Sequence, residues 1–195
     1  MTEVAFRPAT SDDLAAVAAI YAHNVLTSTA TFDTEEPPMS AWQAKLDSTA
    51  PGDHFLVAHR VAEPGPAGPG SAGHGLAGHG PDSHALVAGD DDRLLGYAYS
   101  CSFRSRPAYR HTRETSVYLE PDAMGSGLGT RLYSALLDLL RHDGVHLVVA
   151  IVTQPNPASE ALHRKLGFTE AGTLDEVGHK FGTYLTTKTY QLRLT

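Results

Sequence analysis

The segment Gly125-Ser126-Gly127-Leu128-Gly129-Thr130 has the residue types and spacing that most directly imply chemistry. It lies between an alternating apolar run, Thr115 to Leu119, and a helical pattern that begins near Leu128. A strand that turns through closely spaced glycines into a helix N-terminus leaves backbone N–H groups without intrahelical partners. The helix dipole there favours negative charge, so the arrangement can hold a phosphate or pyrophosphate. Two phosphate motifs are excluded by spacing. A Walker loop needs a lysine after its last glycine, and a dinucleotide fingerprint needs a glycine where Thr130 or Leu132 stands. Glycines so spaced also occur in plain turns, and the turn by itself does not choose between the readings.

Two further groups invite a chemical reading. His74, His79 and His84 recur every five residues, but no cysteine or carboxylate accompanies a tight i, i+4 pair, so an inert loop is expected and no metal. Cys101 is the one cysteine; in an apolar-alternating run it reads as a small hydrophobe.

The elements that must position these residues follow from periodicity. Val4 to Pro8 alternates as a short strand. Thr10 or Ser11 then offers an N-cap, with Asp12 and Asp13 in the first turn and Leu14, Val17, Ile20, Tyr21 and Val25 at helical spacing. A polar linker, Thr27 to Thr34, and Pro37-Pro38 lead to a second helix from about Ser40 to Ser48. Strands are expected at Phe55 to Val61, Leu94 to Phe103 and Arg113 to Leu119. The glycine turn opens a helix to about His142, with Leu128, Leu132, Leu136 and Leu139 on one stripe and Gly144 as its stop. The continuous apolar run Leu147 to Val152 predicts a central strand buried on both faces. A short helix, Asn156 to Leu166, and strands at Phe168 to Val177 and Tyr184 to Leu194 complete the order β-α-α-β-β-β-α-β-α-β-β, an α/β fold with a mixed sheet.

The 195 residues suit one domain, 1–195. Between Ala62 and His84 the composition shifts to Gly, Pro, Ala and His, with Leu76 the sole large apolar residue; a flexible insertion is expected there. A formal net charge of −7 argues against a nucleic-acid surface or a polybasic membrane contact. No run approaches the roughly 20 apolar residues of a bilayer span. With no signal-peptide pattern from Met1 to Ala9 and no possible internal disulfide, a cytoplasmic protein is expected.

This order, with a glycine turn after the fourth strand and Leu166-Gly167-Phe168 after the short helix, resembles the GNAT acetyltransferase superfamily. In detail it is similar to its phosphinothricin and methionine-sulfone N-acetyltransferases. The pieces are Thr27-Ser28-Thr29 with Phe32 and Thr34-Glu35, Arg106-Pro107-Ala108-Tyr109, Glu114 to Tyr118, Gly127-Leu128-Gly129, Pro155-Asn156 with Ser159, and Gly178-His179-Lys180 with Gly182. The resemblance implies a three-layer α/β/α fold around a mostly antiparallel sheet, a homodimer, and acetyl-CoA as co-substrate. It implies that the backbone of Val117, Tyr118 and Leu119 bonds the acetyl carbonyl and pantetheine arm. Gly125, Ser126, Gly127, Leu128, Gly129 and Thr130 would cradle the pyrophosphate, and Asn156 would bond the pantetheine.

By the same resemblance Glu114 is the base that deprotonates the amine, and His163, where many relatives have tyrosine, assists as acid or base. An imidazole near pKa 6.5 suits that work. Arg106 would clamp an acidic group of the acceptor with its planar fork, and Phe32 and Tyr118 would line the pocket, with Tyr109 and Lys180 as further candidates. Met124 stands where the family often has Gln or Arg, and Thr31 where the phosphinothricin enzymes carry Asn. The expected reaction is acetylation of a small-molecule amine acceptor, phosphinothricin or methionine sulfone or sulfoximine. The rivals are a peptide N-terminus or polyamine as acceptor, and a catalytically silent acyl-CoA-binding module.

Overall fold

In the computed structural model, residues 3–61 and 93–195 are described. They form β1 (Glu3–Pro8), α1 (Leu14–Thr27), α2 (Met39–Leu46), β2 (Phe55–Val61), β3 (Leu94–Ser102) and β4 (Thr112–Leu119). Then come α3 (Leu128–His142), β5 (Leu147–Thr153), α4 (Pro157–Lys165), β6 (Thr169–Lys180) and β7 (Thr183–Arg193). The element order is the one periodicity predicts. The insertion at 62–84, with its three histidines, lies outside the described residues.

The strands make one sheet in the order β1-β2-β3-β4-β5-β7-β6. Its pairings are antiparallel except β4 with β5, which is parallel. Each face is covered by helices whose apolar residues recur at i, i+3 and i+4, so one stripe can be buried. On one face Leu14, Val17, Ile20, Tyr21 and Val25 of α1 pack with Trp42 of α2 on Phe55, Val57 and Tyr97. On the other face Leu128, Leu132, Tyr133, Leu136, Leu137 and Leu140 of α3 pack on Ala98, Val148, Ala150 and Val152, with Leu162 of α4 alongside. The result is a three-layer α/β/α fold. Leu132 and Leu136 are fully buried, so truncating either to alanine would cost about 2–5 kcal/mol.

The entry to α1 is fixed by Asp13. Arg7 donates to both of its carboxylate oxygens, at 2.6 and 2.8 Å, and the Thr10 amide donates at 2.7 Å. Burial opposes ionisation of this carboxyl, but these donors hold it below its usual value.

The parallel pair carries the functional geometry. β4 and β5 are in register only from Thr112 with Leu147 to Glu114 with Val149. Beyond that point β4 pairs with β3 alone, through Leu119, while β5 pairs with β7. The two strands therefore splay and open a V in the middle of the sheet. This corrects the expectation that Leu147 to Val152 is buried on both faces: Ile151 is 51% exposed, because its side chain borders the opening. The last two strands also run further toward each other than expected, closing on the two-residue turn Phe181-Gly182.

Candidate active site

The V continues into a cleft of about 450 Å³. Thr115 to Leu119 of β4 form one wall, Ala150 to Thr153 of β5 the other, and the N-terminus of α3 with one side of α4 the floor. Asn24 and Ala30 reach it from the α1 side.

The glycine turn sits at one end. Gly125 and Gly127 adopt φ of 74° and 81°, a left-handed conformation that costs an L-residue about 1–2 kcal/mol. A Cβ at either would meet nothing within 4 Å, so backbone conformation is what demands glycine there. Gly129 differs: its Cβ would lie 3.3 Å from Leu119 Cδ1, so it serves the close packing of α3 on β4. The amides of Gly125, Ser126, Gly127, Gly129 and Thr130 find no acceptor among the described residues. Ser126 is exposed and outside the cleft lining, its hydroxyl donating to the Ala123 carbonyl at 2.7 Å. Leu128 belongs to the core.

Of the expected cofactor residues, Val117, Tyr118, Leu119, Gly125, Gly127, Gly129, Thr130 and Asn156 line the cleft. Asn156 also caps α4, its Oδ1 accepting from Ser159 N at 3.0 Å. That leaves its NH₂ to donate elsewhere.

Glu114 stands at the last β4–β5 pair, where the V begins, but is not among the residues that line the cleft. Alternation along β4 sends the neighbouring Arg113 to the opposite face, where it meets Asp53 at 3.4 Å and the Pro51 carbonyl. Glu114 itself has no ion pair among the described residues. Burial pushes its carboxyl pKa up, and the positive charge of Lys45 offsets this only in part.

His163 is 4% exposed and borders the cleft from α4. Its ring stacks on Tyr190 and meets Tyr133 and Phe168 edge-on. Burial lowers its pKa, against the opposing hydrogen bond to Ser159. Cys101 is half-buried, its thiol pKa raised by burial, in a smaller hollow beside Lys45 and Tyr99.

The acceptor residues are less assembled. Phe32 lies flat against Gly178 of β6, where a Cβ would come within 2.2 Å of its ring. Its loop is anchored through Thr31, whose hydroxyl bonds Tyr21 Oη at 2.5 Å and whose carbonyl accepts from the buried Lys180 at 2.9 Å. Arg106 and Tyr109 lie on the β3–β4 connection, outside the cleft lining. Tyr109 packs edge-on against Phe103, while Arg106 is exposed and forms no ion pair among the described residues.

Sequence reasoning did not single out Asn24, Ile151, Thr153, Lys165 or the Thr115–Tyr133 pair. Their place depends on strands and helices distant in sequence, and no local pattern marks them.

The comparisons agree with this geometry. The acetyltransferase (GNAT) family model matches residues 23–168. The chain is 35% identical over 182 residues to phosphinothricin N-acetyltransferase of Streptomyces coelicolor, covering 93% of this chain and 91% of that one. It is 43% identical over 110 residues to the L-methionine sulfoximine/L-methionine sulfone acetyltransferase of Pseudomonas aeruginosa, covering 56% and 64%. The structure of a GNAT phosphinothricin acetyltransferase from Sinorhizobium meliloti, in complex with AcCoA, superposes with a TM-score of 0.78 at 30% identity, over 99% of this chain and 89% of that one. This chain belongs to the GNAT acetyltransferase family.

Proposed function

We propose that this protein transfers the acetyl group of acetyl-CoA to the amine of a small amino acid, with phosphinothricin, methionine sulfone and methionine sulfoximine as acceptors. One observation carries the reading: five amides without an acceptor among the described residues open onto a cleft at a helix N-terminus, and Glu114, half-buried and without an ion pair among those residues, stands at the last β4–β5 pair beside the head of that cleft.

Acetyl-CoA fits the donor set. A diphosphate needs several N–H donors converging from one side, and Gly125 to Thr130 present them at the positive end of α3. Lys165 adds a cation on the α4 side of the same cleft. The pantetheine arm is an extended amide chain, and the edge of β4 from Val117 to Leu119 lacks a strand partner on its β5 side. Pairing there is strand addition, with the Asn156 NH₂ as a further donor. The coenzyme supplies an acetyl group activated as a thioester.

The chain's own residues supply proton handling and position. Glu114 accepts a proton from the acceptor's ammonium; a raised pKa suits this better than the ordinary carboxylate value. Backbone N–H groups of β4 near Tyr118 bond the carbonyl oxygen and favour the charge that builds there. His163, neutral at the cleft wall, assists. Phe32 packs against the acceptor side chain, and Arg106 and Tyr109 hold its acidic end from the β3–β4 loop. Among the described residues no carboxylate lines the cleft, which disfavours a polyamine acceptor.

The exposed apolar residues of β6 and β7, Leu174, Val177 and Tyr184, with Phe181 in the turn between them, support a homodimer across this hairpin. A lone cysteine and a thioester co-substrate support a cytoplasmic location.

Steady-state kinetics with phosphinothricin and methionine sulfone test the reading. Glu114→Gln should lower kcat by about 10²–10⁴-fold while acetyl-CoA binding changes little. Absence of thiol release from acetyl-CoA with every amine offered to the parent would refute it in favour of a silent acyl-CoA-binding module.

A further inference from the structure

We propose that Thr115, Tyr133 and His163 form a buried proton path, through which His163 exchanges protons with the apex of the cleft rather than by touching the reacting atoms. The inference rests on the acetyltransferase reading of the same cleft and assigns the route by which His163 takes part.

Three contacts carry it. Thr115, the residue after the last β4–β5 pair, lines the cleft, and its Oγ1 lies 2.6 Å from Tyr133 Oη. Tyr133 is fully buried in α3, and the same Oη lies 3.4 Å from His163 Nε2. His163 Nδ1 lies 2.7 Å from the Ser159 carbonyl. A carbonyl only accepts, so Nδ1 carries the hydrogen. The neutral ring therefore turns the lone pair of Nε2 toward Tyr133.

The single hydrogen of Tyr133 then faces two acceptors. It can be given to Thr115, whose own hydrogen points to the Val149 carbonyl at 3.3 Å or into the cleft. Alternatively it is given to His163 while Thr115 donates to Tyr133. Both arrangements use the same heavy-atom positions, as a path that conducts in both directions requires. Burial raises the phenol's pKa far above its usual value, so Tyr133 passes a proton only by giving one as it receives one.

The proton balance is explicit. Glu114 takes the first proton of the acceptor ammonium. The second leaves nitrogen as the C–N bond forms, and nitrogen keeps the electron pair. That proton goes to Thr115 Oγ1, the hydrogen of Thr115 goes to Tyr133, and the hydrogen of Tyr133 goes to His163 Nε2. The ring becomes imidazolium with Nδ1–H still on Ser159, and the reverse passage delivers one proton to the departing thiolate. Tyr133 is thus a positioning residue, and Thr115 is the group that faces the substrates.

Tyr133→Phe in the full chain tests the path without opening a cavity. In substrate-free protein, nitrogen-15 NMR should find His163 protonated on Nδ1, with the Nε2 resonance moving in Tyr133→Phe and the Nδ1 resonance staying. Turnover should fall about 10- to 100-fold with the KM for acetyl-CoA within twofold, and a solvent isotope effect with a multi-proton inventory should shrink. Thr115→Val should lose turnover to the same degree and Thr115→Ser should keep it, which serves if Tyr133→Phe fails to fold. A hydrogen on His163 Nε2 in the free protein, or full turnover in Tyr133→Phe or Thr115→Val, overturns the path. Failure of the acetyltransferase reading is distinct: the parent then has no turnover, while the NMR result still judges the hydrogen-bonded chain.

Discussion

At the scale of single residues, the base proposed at Glu114 would serve activity at the expense of stability. Its carboxyl is partly withdrawn from water with no cation paired to it, so its pKa is raised. As a base it works only when ionised. The value of kcat/KM for the acceptor should therefore rise with pH through an ionisation above the ordinary carboxylate range, and Glu114→Gln should lack that limb. A pH–rate series for both proteins checks this. The stability sign is opposite. Between the ordinary and the raised pKa the folded state binds more protons than the unfolded state, so stability falls as pH rises through that window. Above it the deficit persists. Glu114→Gln should accordingly melt higher than the parent at pH 8, with the difference gone near pH 4. A calorimetric comparison giving equal Tm at pH 8 would place Glu114 in an unstrained, solvated setting.

At the scale of elements, two glycines make contrasting demands. Gly127 forms the N-cap of α3 at φ 81° with open space around it. Gly127→Ala should cost about 1 kcal/mol of stability through conformation and weaken acetyl-CoA binding about tenfold, because a methyl group stands where a diphosphate approaches. Titration calorimetry with the coenzyme measures it. Gly178 has an ordinary φ but no room, since Phe32 fills the space a side chain would take. Gly178→Ala should push Phe32 and its loop aside and raise the acceptor KM several-fold, leaving the KM for acetyl-CoA unchanged. Equal effects on both substrates would mean that Phe32 does not face the acceptor.

At the scale of the molecule, the sheet ends in β6, whose outward side is exposed over most of its length. Long apolar edge strands are liabilities in a monomer unless a partner covers them. Replacing Leu174 and Val177 together by aspartate should convert a dimer to monomer in sedimentation while leaving the far-UV spectrum intact. A parent that sediments as a monomer would remove the dimer from the proposal.

Local patterning determined much of this protein. The period-3.6 stripe of α3, the alternation of β4 and the apolar run of β5 are each properties of a few consecutive residues, and all three elements formed where the patterns lie. The glycine turn was legible for the same reason, because positive φ and unpaired amides are local requirements. Only the tertiary structure decided that β4 and β5 part after Glu114, since strand pairing joins residues some 35 positions apart and no periodicity encodes where it ends. That parting exposes Ile151 and leaves Thr115, the first residue beyond the pairing, in the cleft wall against Tyr133. The cleft arises because two strands that each satisfy their other neighbour leave their shared edge open.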